Sequence, residues 1–170
     1  MHRKRLTTQK IAQCGLLTAV MLVLGFIESL IPITVGVPGI KLGLSNGVLL
    51  FALYMMDAPT AFVLMVLKVL LSGLLFGGVS AMMYAFAGGL LSMMGMILLK
   101  KMNFSILAVS MAGGVLHNVG QVLLAMIILQ TSQLLYYMAI LLFVGLACGA
   151  ITGIAARATI SHMKKLNRKS

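Results

Sequence analysis

IAQCGLLTAVMLVLGFIESLI, residues 11–31, holds one charged side chain, Glu28. About twenty apolar residues, rising about 1.5 Å each as a helix, match the roughly 30 Å hydrocarbon core of a bilayer. The run is longer than the h-region of a signal peptide, about 7–15 residues, and Glu28-Ser29 is a poor cleavage site. It reads as a transmembrane helix of the mature chain. Pro32 ends it, because proline lacks the N–H and restricts the residue before it.

Working outward, the same pattern recurs. Residues 32–43, PITVGVPGIKLG, are apolar but hold two prolines and three glycines, so they predict an ordered outer loop or a re-entrant piece. Helix two is expected over 44–56, which is short for a full span. Asp57-Ala58-Pro59 is a helix start, with Asp57 as the cap and proline in the first turn. Helix three is expected over 60–76, a break at Gly77-Gly78, and helix four over 80–99, closed by Lys100-Lys101. Asn103 is the expected cap of helix five, 104–129. The turn Gln130-Thr131-Ser132-Gln133 leads to helix six, 134–156, and a basic tail follows from Arg157.

The 170 residues are 61 % hydrophobic and 9 % charged, with a mean hydropathy of +1.12. A soluble domain carries about 25 % charged residues. A soluble enzyme, a secreted disulfide scaffold and a disordered tail are therefore excluded. With Asp and Glu totalling two, so is any mechanism that needs three or more carboxylates. The expectation is an all-α integral membrane protein with six transmembrane helices in a single domain, 1–170. Its basic ends, 1–10 and 157–170, would be cytoplasmic and the 32–43 loop outside. The net charge of +11 would suggest nucleic acid in a soluble chain. Here no aromatic residues interleave with the basic runs, so they read as anchors facing anionic lipid, with no nucleic-acid partner. Six helices put both termini on the Lys100-Lys101 side. That side then holds eleven of the thirteen Lys and Arg residues, leaving Lys41 outside and Lys68 within helix three. Cys14 and Cys148 lack metal-ligand or redox spacing and read as packing residues.

Polar residues in apolar surroundings carry the functional information. Lys68, near the middle of helix three, is either a snorkelling lysine or a group that faces an anion. Glu28 is either an interfacial carboxylate or a partner of Lys41 or Lys68 across an outer cavity. His117, Asn118 and Gln121 lie within two turns of helix five, and His117 and Gln121, four apart, share a face. They serve as interhelical hydrogen bonds or they face a ligand. Asn46 caps helix two or lines the same cavity. Gly15 and Ala19 form a small-xxx-small pair, for internal packing or for a partner membrane protein. Gly88-Gly89 and the four-spaced Gly145, Gly149 and Gly153 read as close-packing sites. No metal or cofactor site is expected: there is one membrane histidine without a carboxylate near it in sequence, and no phosphate-binding loop.

Four pieces together resemble a known family: PGIKLGLSN (38–46), LLSGLLFG (70–77), AGGLLSMM (87–94) and HNVGQ (117–121). The chain looks like the Gx transporter family, also labelled heptaprenyl diphosphate synthase component I, from helix one to helix six. That family in turn resembles the substrate-binding S components of energy-coupling factor transporters. The resemblance implies an outward pocket under the first loop, docking on a transmembrane T component through Gly15 and Ala19, and two ATPase partners. Chain-elongating prenyl synthases hold Mg-diphosphate with clustered aspartates. The single aspartate here, Asp57, means this chain is not the catalytic one. The expected function is binding or transport of a small, anionic molecule in a cavity lined by Glu28, Lys41, Asn46, Lys68, His117, Asn118 and Gln121. The alternative is a non-catalytic membrane accessory in prenyl diphosphate or quinone metabolism, or in a redox or flavin assembly.

Overall fold

The computed structural model describes residues 7–30 and 43–166. Pro32, Lys41 and nearly all of the 32–43 loop fall outside the described residues. Six α-helices follow one another: α1 (Thr8–Leu30), α2 (Asn46–Met55), α3 (Ala58–Ser72), α4 (Gly78–Lys101), α5 (Ile106–Leu129) and α6 (Leu134–Leu166). A π-helical turn, Gly73–Gly77, joins α3 to α4. Among the described residues there is no strand.

Four helical stretches are long and apolar enough to cross a membrane: Thr8–Leu30, Ala58–Lys101, Ile106–Leu129 and Leu134–Leu166. The second is two antiparallel helices rather than one rod. At Gly78 the backbone turns with φ +73°, a left-handed conformation that glycine adopts without steric cost. The chain then folds back, so that Gly73 abuts Met82 and Gly89 abuts Met65. That makes five candidate spans. The sixth expected helix, α2, has ten residues, about 15 Å of rise, and is too short to cross alone.

The helices alternate in direction, and their contacts define two ends. Lys10, at the start of α1, pairs with Asp57 at 2.8 Å, between α2 and α3. Lys100, at the end of α4, donates to the Leu53 carbonyl and sits 5.0 Å over the Tyr54 ring. Gly153 of α6 packs on Leu107 and Ser110 near the start of α5. Lys10, Lys100, Lys101, Arg157, Lys164 and Lys165 thus gather at one end, here called the basic end. Lys68 is the remaining Lys or Arg among the described residues.

Local chemistry explains two departures from expectation. Helix five is capped by Ser105, whose hydroxyl accepts from the Ala108 N–H at 3.2 Å. Asn103 instead takes a left-handed conformation, φ 61°, after α4, a geometry asparagine tolerates better than most residues. Helix six does not stop at Ala156 but continues to Leu166. No glycine or proline interrupts Arg157–Leu166, Ile160 is buried at 1 % exposure, and Lys164 and Lys165 complement the helix dipole in the last turn. The expected Asp57 cap is present: its carboxylate accepts from the Thr60 N–H at 2.8 Å and hydroxyl at 2.6 Å.

The core is built from Leu50, Leu53, Leu64, Met65 and Met93, closed by Met21 and Ile160. Helix α5 lies between α4 and α6 at backbone distance from both. A Cβ at Gly120 would stand 2.8 Å from the Ala87 carbonyl oxygen and from the Gly88 Cα, and one at Gly145 would stand 2.9 Å from the Gly114 carbonyl oxygen. The expected close-packing roles of Gly88 and Gly145 are visible here, as backbone approaches that any side chain would prevent.

The Lys10 ammonium beside Asp57, followed by the Thr60 hydrogen bonds, holds the Asp57 carboxyl well below the usual carboxylate range. A depressed native pKa contributes stability above the ordinary aspartate value, about 3.9, that fades as pH falls through and below it. Asp57→Ala is expected to lower the unfolding free energy in detergent by about 0.5–2 kcal/mol at pH 7 through loss of the cap. The deficit should shrink as the pH is lowered below about 4. Gly145→Leu should cost about 1–3 kcal/mol as an overpacked contact. Denaturant titration followed by circular dichroism checks both.

Candidate functional site

Away from the basic end, one cavity gathers residues that the sequence keeps far apart. Its walls are Gly25 and Glu28 from α1, Lys68 and Ser72 from α3, Gly73 and Gly77 from the π turn, Ala81, Met82 and Ala85 from α4, and His117 and Gln121 from α5. Gly43, the first described residue after α1, stands at its rim. The enclosed volume is about 20 Å³, room for one water. Sites for small molecules usually span about 300–1,000 Å³.

Glu28, Lys68, His117 and Gln121 are all buried, which is unusual for such groups unless they are partnered or functional. Glu28 reaches across to the start of α2, where its Oε1 accepts from the Leu44 N–H at 2.8 Å. It is therefore a buried wall residue tied to backbone, not an interfacial carboxylate in water. The burial of Lys68 removes the snorkelling reading.

On α5, Gln121 Nε2 and His117 Nε2 are 2.8 Å apart. One must donate and the other accept. Either the amide donates to an unprotonated ring nitrogen, or a turned-over amide accepts from the ring N–H. Each arrangement leaves one polar end of the Gln121 amide over. As placed, Oε1 has no hydrogen-bond partner. Gly88 makes this geometry possible, since a Cβ there would stand 2.8 Å from Gln121 Cγ and 3.0 Å from His117 Nδ1. An unsatisfied buried polar group costs about 1–3 kcal/mol, so a water or a ligand group in the cavity would relieve it.

The other expected site residues lie elsewhere. Asn118, about 100° round α5 from His117, donates to the Leu141 carbonyl at 2.7 Å. Its role is to join α5 to α6, and it does not line the cavity. Asn46 opens α2, with its N–H bonded to the Gly43 carbonyl at 2.8 Å, and is likewise not part of the wall. Lys41 lies outside the described residues. Gly15 and Ala19 are exposed, and nothing stands within 4 Å of a Cβ at Gly15. The internal-packing reading of this pair is therefore set aside. Sequence reasoning passed over Ser72, Gly25, Gly73 and Gly77 as wall residues. Only the four-residue spacing of Gly73 and Gly77 hinted at a shared face. Among the described residues no group of three or more His, Cys, Asp or Glu could hold a metal ion.

These helices and their charge partition define a multi-pass α-helical membrane protein with a buried polar cluster. A family model described as heptaprenyl diphosphate synthase component I matches residues 17–159, most of the chain, and the protein belongs to that family. The family description names a component, which implies a partner subunit. A search of curated proteins and a search of solved structures each find no match.

Asn118→Leu is expected to lower stability in detergent by about 1 kcal/mol, within the range for interhelical hydrogen bonds. It should leave the chemistry of the cavity unchanged. An Asn118→Leu protein as stable as wild type would mean that the α5–α6 contact does not depend on this bond.

Proposed function

We propose that the chain is a membrane-embedded binding or transport subunit that takes a small, partly apolar, anionic molecule into the Glu28–Lys68–His117–Gln121 cavity and performs no covalent chemistry. The observation that carries this reading is the convergence of these four polar side chains, from three helices, on one buried space. Lys68 supplies a cation for an anionic end, and Gln121 keeps a polar end to offer. A ligand larger than water requires the walls to part. The π turn on the wall lends itself to this, because its glycines and its irregular hydrogen bonding make it the most deformable part of the α3–α4 hairpin.

In this reading the basic end is cytoplasmic, as the positive-inside rule requires. Counting α2 as a short sixth pass gives six transmembrane helices, puts both termini in the cytoplasm, and opens the cavity outward in the cell membrane. Gly15 and Ala19, exposed on α1, would then meet a T component. The coupling to ATPase subunits rests on resemblance to S components of energy-coupling factor transporters.

The family description favours a second reading, a membrane accessory to prenyl diphosphate synthesis. Under it, the anionic end would be a diphosphate, and a separate chain would do the catalysis. Mass spectrometry of small molecules released from the purified protein separates the two. A small, partly apolar anion without a prenyl chain supports the first, and a prenylated species supports the second.

Two variants test the cavity. Lys68→Met and Gln121→Leu should each insert normally and reduce retention of the released ligand about tenfold or more, since a hydrogen bond to a charged group contributes about 1.5–3 kcal/mol. Unchanged retention in both would overturn the site. A cysteine introduced by Thr131→Cys should react with impermeant reagent from outside the cell. Labelling only from the cytoplasm would overturn the orientation.

A further inference from the structure

A second site runs along α1 towards the basic end. An apolar groove of about 400 Å³ lies between Leu17 and Val20 of α1, Val48 and Phe51 of α2, and Ala155 and Thr159 of α6. One helical turn nearer the basic end, a polar cleft of about 330 Å³ continues on the same two helices, lined by Gln9, Lys10 and Gln13 of α1 and by Met55, Met56 and Asp57. The steps Gln13 to Leu17 and Phe51 to Met55 are each four residues, one turn on the same helix face. The two spaces therefore form one furrow, apolar at the far end and polar at the basic end.

Three features specify the occupant. The first is length. From Lys10 to Leu24, which also lines the groove, α1 rises about 21 Å, close to half of the roughly 40–45 Å bilayer including headgroups. The furrow is one leaflet deep and has the polarity of a lipid. The second is its donor set. Lys10 gives one of its three N–H bonds to Asp57, which leaves two, with the Gln9 and Gln13 amides beside them, for a phosphate. The third is charge. Within the cleft, Lys10 and Asp57 cancel, and both are partly exposed, at 25 % and 32 %. A head that carries both signs complements that pair better than a purely anionic one.

We infer that the α1–α2–α6 furrow binds one zwitterionic phospholipid of the phosphatidylethanolamine type, with its phosphate on Lys10, its amine towards Asp57 and an acyl chain along Val20, Phe51 and Ala155. The furrow shares no lining residue with the polar cavity, and the inference does not depend on what that cavity holds.

The test is native mass spectrometry of the delipidated full chain, titrated with phosphatidylethanolamine, phosphatidylglycerol or diacylglycerol of matched chains. The expected result is one phosphatidylethanolamine held at least about tenfold more tightly than either of the others, as loss of a charged hydrogen-bond partner predicts. Ala155→Phe, at an exposed position that fills the groove, and Lys10→Gln should each weaken it about tenfold while helicity by circular dichroism stays the same. Equal retention of all three lipids would reduce the furrow to ordinary lipid solvation and overturn the inference. Tighter phosphatidylglycerol would overturn the assignment of the head, and unchanged binding by Ala155→Phe would overturn that of the chain.

Discussion

Helix α5 touches its neighbours backbone to backbone on both sides, and the rest of the molecule depends on that contact. Gly120 meets Ala87 and Gly88 of α4, and Gly114 meets Gly145 of α6. In a bilayer, lipid tails are as apolar as leucine, so helices associate through close packing and hydrogen bonds rather than through expulsion of water. Glycine at these crossings lets the backbones meet. Polar side chains at membrane depth are then removed from lipid: His117 and Gln121 face α4 and the cavity, and Asn118 faces α6. A bulkier residue at the crossings would expose all three.

The charge distribution adds a second constraint. Apart from Lys68, the described basic residues gather at one end of the helices, and Lys10 and Lys100 make specific contacts there, with Asp57 and with the end of α2. The basic residues that gather at this end thus also tie the helix ends together. The other acid, Glu28, works at the far end, where it bonds the start of α2. Each of the two carboxylates thus fixes one end of the short helix α2 to its surroundings.

Much of this was legible in the sequence, because the relevant signals are local. Run length, Pro and Gly breaks and the Asp57-Ala58-Pro59 start identify the helices to within a few residues, except at the end of α6. The His117–Gln121 spacing puts both on one face. What was not legible depends on tertiary packing. Asn118 follows His117 directly, and only the position of α6 decides that its amide meets the Leu141 carbonyl. Ser105 and Asn103 are both plausible caps, and the choice rests on which backbone conformation the α4–α5 turn takes. Helix α6 outlasts its apolar stretch because Ile160 is buried against the core, a contact invisible in a basic tail. The glycines of the cavity wall look, in sequence, like any others in a membrane helix.

Helix α1 differs from α5 in how it is held. Its buried residues, Thr18, Met21, Gly25 and Glu28, form a single stripe, whereas α5 is enclosed on two sides. Local opening free energies follow such differences in coverage. The fold therefore has a gradient of cooperativity, with a rigid α4–α5–α6 block and a more weakly attached first helix. Gly25 and Glu28 of that helix form part of the cavity wall, so the polar cluster is bounded on one side by the element that costs least to displace. On that side a single stripe of contacts, rather than close backbone packing, encloses the cavity.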